Sequence, residues 1–353
     1  MTEISKSFPY EIRNVEPQES AELFKLFSEG IQDGWVRVGP KNYIYPVSYV
    51  EDAERIYNFP LRSDDVWVVS YPKSGTTLTQ ELVWMVANNC DYETSAAKYL
   101  FRRFPYIEMG MFLNSSKSIK LMKEVEATGN EEMISLAQNV FCSHVSHAEN
   151  MPSPRFIKSH LPLSLVPPAI LDTCKVIHVA RDPRDVAVSF FHHCSFMRIH
   201  YDTVRITGFT GSFKQFWNLF INDKVDCTLF FPMVKEWWAK KDHPNLLFLF
   251  YEDLVKDMPT QIRKVAKFLG KSMSDEQVDL LSEHLRFDNF KKNKSLNYDI
   301  LQELCVSKAN KSFVRKGKSG GWRDYYDDEM REQADRWIEE NLKDCDLRFP
   351  SYN

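Results

Sequence analysis

The chain has 353 residues, of which 45 are Lys or Arg and 49 are Asp or Glu, so its formal net charge is -4. A hydrophobic fraction of 43%, with only 12 Gly and 17 Pro, excludes disordered, collagen-like and low-complexity proteins. The near-neutral balance argues against a nucleic-acid partner held by bulk charge, although it is compatible with a local cationic pocket.

Four short apolar segments are predicted to be strands. They lie at residues 65–72, 155–160, 175–181 and 245–254. Helical spacing follows the first strand, Asp182 and Pro183 suit the start of a helix after the third, and residues 259–270 are predicted to form a helix after the fourth. This alternation indicates an α/β fold with a central, mainly parallel sheet that is flanked by helices.

No repeat or Ser/Gly-rich linker divides the chain, so a single domain over residues 1–353 is predicted. Residues 109–150 are rich in Ser, Lys, Glu and Asn and have no strand pattern. We interpret them as an inserted, lid-like helical segment over one end of the sheet.

Export, membrane insertion and metal binding are not expected. No apolar run reaches the roughly 18 residues of a membrane span, and the first residues lack a signal peptide. The seven cysteines are odd in number and have no CxxC spacing, which favours free thiols. The expected location is cytoplasmic, without a membrane partner.

The first predicted strand leads through Lys73-Ser74-Gly75-Thr76-Thr77 into a helix. Backbone N–H groups, a lysine and hydroxyls at a helix start are typical of an anion-binding loop. The GxxxxGK[ST] pattern of nucleoside triphosphatases is absent, because Lys73 precedes the glycine. By itself the SGTT segment is equally compatible with an ordinary capped helix.

The segment YPKSGTT resembles the 5′-phosphosulfate-binding loop of cytosolic sulfotransferases. These enzymes transfer sulfonate from 3′-phosphoadenosine 5′-phosphosulfate (PAPS). Four further segments resemble the family in the same order, and together the motifs span about residues 60–345: KSHLP at 158–162, RDPRDVAVS at 181–189, Tyr251 in LFYEDL, and RKG followed by GGW at 315–322. The resemblance is strongest to insect members, including an insect retinol dehydratase.

The resemblance implies the roles of individual residues. His160 corresponds to the family's catalytic base, and Lys73 and Lys158 are the accompanying catalytic cations. The implied contacts to PAPS, or to its product PAP, are made by Lys73, Ser74, Gly75, Thr76, Thr77, Leu78, Arg181, Ser189, Tyr251, Phe287, Arg315, Lys316 and Gly317. No metal is expected in this scheme.

Elementary chemistry is consistent with these roles. The donor carries about four negative charges near neutral pH, so an acidic protein must concentrate cations locally. Successive side chains of a strand alternate faces, which places Lys158 and His160 on the same side. Histidine is suited to accept the acceptor's proton because its ordinary pKa lies near neutrality.

Two positions depart from the family pattern. Leu78 stands where the family commonly has a tryptophan that stacks on adenine, so apolar packing is expected there. The family's dimer segment corresponds to residues 323–332, with Asp327 and Asp328 at its central positions. A homodimer therefore remains open.

The expected acceptor is a small hydrophobic alcohol or phenol, with Phe101, Phe104 and Tyr106 as substrate-binding candidates. Such an activity fits small-molecule metabolism or detoxification. Three alternatives stay open: a retinol dehydratase-type dehydration of an allylic alcohol with the same donor, a P-loop nucleotide kinase, and a carrier for apolar ligands.

Overall fold

The computed structural model describes residues 7–27, 33–114, 116–141, 143–196, 209–225, 229–296, 317 and 319–351. Seven strands occur within these ranges: β1 (Ile12–Asn14), β2 (Trp35–Val38), β3 (Tyr43–Pro46), β4 (Val66–Val69), β5 (Phe156–Ser159), β6 (Lys175–Ala180) and β7 (Leu246–Phe250). Arg315 and Lys316, two of the predicted donor contacts, lie outside the described residues.

The strands β4 to β7 form a parallel sheet in the order β5-β4-β6-β7. Val66 and Val68 of β4 face one hydrophobic cluster, and Trp67 and Val69 face another. Both faces of the sheet are therefore covered, which explains the continuous apolar pattern of its strands. The predicted α/β fold class, with a central parallel sheet flanked by helices, is confirmed.

The predicted fourth strand, 245–254, was too long. Strand β7 ends at Phe250, and a helix begins at Tyr251. Glu252 and Asp253 lie in the first turn of that helix, where carboxylates interact favourably with the helix dipole.

A second sheet near the N-terminus was not predicted. Strands β1, β2 and β3 pair antiparallel in sequence order. Each has only three or four residues, and β3 is buried along its whole length, so no alternation of polar and apolar residues marks it.

Helices account for most of the remaining described chain. Helices α1 to α6 are Pro17–Leu26, Tyr49–Tyr57, Thr76–Ala87, Tyr92–Ala97, Leu100–Arg103 and Gly110–Leu113. Helices α7 to α12 are Ser116–Ala127, Glu131–Phe141, His144–Asn150, Ile170–Thr173, Pro183–Phe196 and Phe213–Ile221. Helices α13 to α18 are Phe230–Trp238, Tyr251–Lys256, Met258–Leu269, Asp275–Leu285, Phe287–Lys292 and Asp328–Leu342, and short 3₁₀ turns lie at Leu163–Leu165 and Gly321–Asp324.

The inserted segment 109–150 is helical where it is described, as α6 to α9. Its last helix is tied to α2, because Arg55 Nη2 lies 2.8 Å from Glu149 Oε2. Its role as a lid stays a prediction. Within the described ranges, none of the helices combines the length and apolar character needed to cross a membrane.

The two central aspartates of the segment 323–332 lie at the start of helix α18. Asp327 caps α18 by accepting the backbone N–H of Met330 at 2.8 Å, and Asp328 is exposed at the start of that helix.

His178 of β6 predicts a pH dependence of stability. Its ring is fully buried between Trp237 and Phe248, and neither ring nitrogen has a hydrogen-bond partner among the described residues. Burial lowers the pKa of His178 to about 3. The neutral imidazole is therefore favoured in the folded state, and stability falls as the pH drops below the unfolded value of about 6.5.

This group alone is expected to cost about 2 kcal/mol of unfolding free energy between pH 7 and pH 5. Urea denaturation of wild type and His178→Phe at both pH values measures the effect, since phenylalanine keeps the aromatic packing and does not titrate. His243→Phe, at a half-buried position outside the strands, is the control. An equal pH dependence in wild type and His178→Phe would contradict the assignment.

Candidate active site

The loop between β4 and α3 has the backbone of an anion cradle. Lys73 and Gly75 both adopt positive φ, at 68° and 103°, and α3 begins at Thr76. Alternating conformations of this kind turn successive N–H groups toward one point, at the positive end of a helix of 12 residues. Gly75 also needs its missing side chain, because a Cβ there would lie 2.5 Å from Tyr251 Cδ2.

The side chains of the loop fit an anionic ligand. Ser74 Oγ is buried and has no hydrogen-bond partner among the described residues. Thr76 Oγ1 lies 2.6 Å from Ser70 Oγ, while Thr77 and Leu78 are half-buried on the first turn of α3. A buried hydroxyl without a partner is costly unless a ligand or water satisfies it, so the loop is consistent with an oxyanion bound over Ser74.

His160 lies just beyond the end of β5 and is 7% exposed. Its Nδ1 atom is 2.6 Å from the carbonyl oxygen of Ser70, which can only accept a hydrogen bond. Nδ1 must therefore carry the proton, and Nε2 keeps its lone pair. This tautomer is the one that a general base requires.

Positive charges surround this imidazole. Burial lowers the pKa of His160 well below its usual value, and the charges of Lys158 and Lys73 act in the same direction, while the bond to Ser70 opposes them. His160 therefore stays neutral across the physiological pH range. The predicted catalytic set of His160, Lys73 and Lys158 is brought together within electrostatic range.

The three acceptor-side candidates occupy different places. Tyr106 contacts two of the predicted catalytic residues, since its ring lies 5.0 Å from the His160 ring and 4.1 Å from Lys158 Nζ. Phe101 stacks on Tyr99 at 5.5 Å. Phe104 is fully buried in the hydrophobic cluster on the α3 side of the sheet and contacts Phe156. Of these three, Tyr106 is the one that lies beside the base.

Arg181 links the loop to neighbouring elements. Its guanidinium lies 4.3 Å from the centre of the Tyr251 ring, and its Nη1 donates to the carbonyl oxygen of Lys73 at 3.4 Å. Ser189 follows on α11 and is half-buried. Arg181 and Tyr251 thus pack behind the phosphate loop, on the same edge of the sheet.

The C-terminal glycine segment is anchored to the same helix. Asp185 of α11 accepts the backbone N–H groups of Gly320 at 2.6 Å and of Trp322 at 2.9 Å. Gly317, at φ 60°, packs on Phe287 so closely that a Cβ would lie 2.1 Å from its ring. Two of the predicted donor contacts, Gly317 and Phe287, therefore meet.

Several residues of the site were missed by the sequence analysis. Ser70 fixes the tautomer of His160, and Asp185 holds the glycine segment. His193 of α11 is within electrostatic range of Lys73 and Lys158, and burial lowers its pKa well below the usual value. Its position one helical turn after Ser189 was the available signal.

Comparison with known proteins decides the family. A sequence profile described as "Sulfotransferase domain" matches residues 63–346. The chain belongs to the sulfotransferase domain family. It is 30% identical to the luciferin sulfotransferase of Photinus pyralis over 350 residues, covering 96% of this chain and 89% of that protein.

Solved structures of retinol dehydratase are also similar. A complex with androsterone and the inactive cofactor PAP superimposes with a TM-score of 0.86 at 42% identity, covering 97% of this chain and 99% of that one. A complex with retinol and PAP gives a TM-score of 0.86 at 41% identity, with the same coverage. The predictions of the family, of a sulfonate-transferring enzyme and of the donor PAPS are confirmed.

Proposed function

We propose that this sulfotransferase transfers sulfonate from PAPS to the hydroxyl of a small hydrophobic alcohol or phenol, with His160 as the general base. The observation that carries the proposal is the hydrogen bond from His160 Nδ1 to the Ser70 carbonyl oxygen. It leaves Nε2 available to accept the proton of an acceptor hydroxyl. The pKa of His160, lowered well below its usual value, keeps that atom unprotonated at neutral pH.

The donor side is assigned to the loop after β4. When bound, PAPS supplies the sulfonate group, and the leaving group is PAP, which takes up negative charge on its 5′-phosphate oxygen. The N–H groups and hydroxyls of residues 73–77 bind the 5′-phosphosulfate end, and Lys73 stabilises negative charge on the leaving oxygen. Arg181 and Ser189 bind the 3′-phosphate, and Arg315 and Lys316, which lie outside the described residues, stay predicted contacts.

Aromatic rings lie beside the base on the proposed acceptor side. Tyr106 packs edge-on against His160, and Phe112 lies 6.3 Å from Tyr106 between ring centres. A polar acceptor would leave hydrogen-bonding groups unpaired on such a surface, so a hydrophobic alcohol or phenol is preferred. The solved relatives that hold androsterone and retinol support this substrate class.

Dehydration is a second candidate, favoured by the 42% identity to retinol dehydratase over nearly the whole chain. The first step is the same sulfonation. The sulfonated allylic alcohol then loses sulfate and a proton to give an alkene. Mass analysis of the products from retinol, androsterone and a simple phenol separates the two outcomes.

Ligand-induced thermal shifts test the donor assignment. PAP at 100 times its dissociation constant is expected to stabilise the fold by about 2.7 kcal/mol, and adenosine monophosphate at the same concentration much less, because it lacks the 3′-phosphate. ATP with Mg²⁺ is the control for the kinase alternative. Equal shifts with PAP and adenosine monophosphate would contradict the roles of Arg181 and Ser189, and a larger shift with ATP would favour a kinase.

A further inference from the structure

Glu108 is a buried acid beside the catalytic base that the mechanism above does not use. The segment before it pairs with the edge of the central sheet: Lys158 N donates to Pro105 O at 2.8 Å, and Ile107 N donates to Lys158 O at 3.0 Å. This pairing carries the chain past the end of β5 and places Glu108, only 1% exposed, next to His160.

One oxygen of this carboxyl group is fully engaged by the end of β5. Oε1 accepts the backbone N–H of His160 and the hydroxyl of Ser159, the latter at 3.2 Å. The His160 ring is bound separately by Ser70. The base is thus held from two sides, through its backbone by Glu108 and through its ring by Ser70, the residue that follows β4.

The other oxygen, Oε2, makes a charged carboxylate unfavourable for stability at this position. Oε2 is buried and has no hydrogen-bond partner among the described residues, and Tyr49 of α2 lies within electrostatic range. Burying a carboxylate costs several kcal/mol unless its oxygens are paired. A glutamine would accept the same two bonds at Oε1 without a negative charge, so those bonds do not by themselves require a carboxyl group.

We propose that Glu108 is a positioning residue for His160, which fixes the backbone of the base and couples a second proton site to it. The proposal rests on the function assigned above to His160. Coupling follows from proximity, because a negative charge on Glu108 favours the protonated imidazole and a neutral carboxyl group does not.

The carboxyl group of Glu108 changes its protonation state within the physiological pH range. Burial raises the pKa of Glu108 to about 7, against the opposing effects of its hydrogen bonds and of Lys158. The titratable groups that face the pair are Lys158 on β5, Tyr106 in the segment paired with it, Tyr49 on α2, Lys73 in the loop after β4 and His193 on α11. Glu108 therefore changes its charge near neutral pH while His160 stays deprotonated.

Nitrogen NMR of the histidine side chains tests the proposal without requiring turnover. The full-length protein is labelled with ¹⁵N-histidine, and the His160 signals are assigned as those missing in His160→Asn. Wild type, Glu108→Gln and Glu340→Gln are then titrated from pH 5 to pH 9. In wild type the His160 nitrogen shifts are expected to show an inflection near pH 7 that reports Glu108. Glu108→Gln is expected to abolish it, and the exposed-site control Glu340→Gln to retain it.

Activity provides the second readout. With a phenol acceptor at pH 8, Glu108→Gln is expected to keep kcat within about threefold of wild type, because its amide oxygen accepts the same bonds. Glu108→Ala is expected to lower kcat by about 10- to 100-fold while the dissociation constant for PAP changes less than threefold. The inflection near pH 7 in kcat/KM should vanish in Glu108→Gln.

The proposal is overturned if the His160 inflection is absent in wild type or survives in Glu108→Gln, or if Glu108→Ala turns over like wild type. Glutamine is the more conservative replacement, so it decides the outcome even if the alanine variant does not fold. A wild-type protein that binds PAP but sulfonates no acceptor would contradict the proposed function instead, and the NMR titration would still decide the role of Glu108.

Discussion

Replacing His160 with alanine is expected to lower kcat by about 10² to 10⁴. The loss follows from the removal of Nε2, the atom that accepts the proton of the acceptor hydroxyl. Nε2 is available because the Nδ1–H group donates to the carbonyl oxygen of Ser70. PAP binding should change little, because a general base acts on the acceptor's proton and not on the donor. Single-turnover sulfonation of a phenol, together with calorimetric titration of PAP, measures both effects.

The pH profile adds a second check on His160. Because burial and Lys158 lower the pKa of His160, the acidic limb of kcat/KM that this group causes should lie well below pH 6.5. His243→Ala, at a position away from the catalytic cluster, serves as the control and should retain full turnover. Turnover of His160→Ala close to the wild-type rate would exclude this residue as the base.

The replacement Lys73→Met is expected to weaken PAP binding and transfer together. Its charge is shared between the bound anion and the oxygen on which charge develops during transfer. Loss of a charge-assisted hydrogen bond should cost about 1.5 to 3 kcal/mol of PAP affinity, or roughly 10- to 150-fold. Turnover should fall in addition, because the leaving oxygen loses its cation.

Methionine is a suitable replacement because it is unbranched, uncharged and close to lysine in length, and it experiences the same strain at a positive φ of 68°. Any change in the loop backbone is then small, and the lost charge dominates. Lys175→Met is the matched control. Lys175 begins β6, at the end of the strand away from the site, and its Nζ lies over the Phe268 ring. An unchanged PAP dissociation constant in Lys73→Met would show that Lys73 does not contact the donor.

The sequence alone was sufficient for the elements that depend on local patterns. The parallel strands are short, continuously apolar and ended by turn residues, and the helix after the third begins at Pro183 as predicted. The phosphate loop was also readable, because a lysine, a glycine and hydroxyls at a helix start are a local signal. The resemblance of several ordered motifs then implied His160, Lys73 and Lys158.

Only the tertiary structure decided which side chains meet across long distances in the chain. Ser70 and His160 are 90 residues apart, and Glu108 and His160 are 52 apart, so no local spacing announces either contact. Tyr106 and Phe104 also depend on the tertiary structure. Both are aromatic and two residues apart, yet Tyr106 lies beside His160 and Phe104 lies in the hydrophobic cluster on the α3 side of the sheet. Phe104 caps the end of helix α5, whereas Tyr106 lies in the segment that pairs with β5 and joins the other cluster.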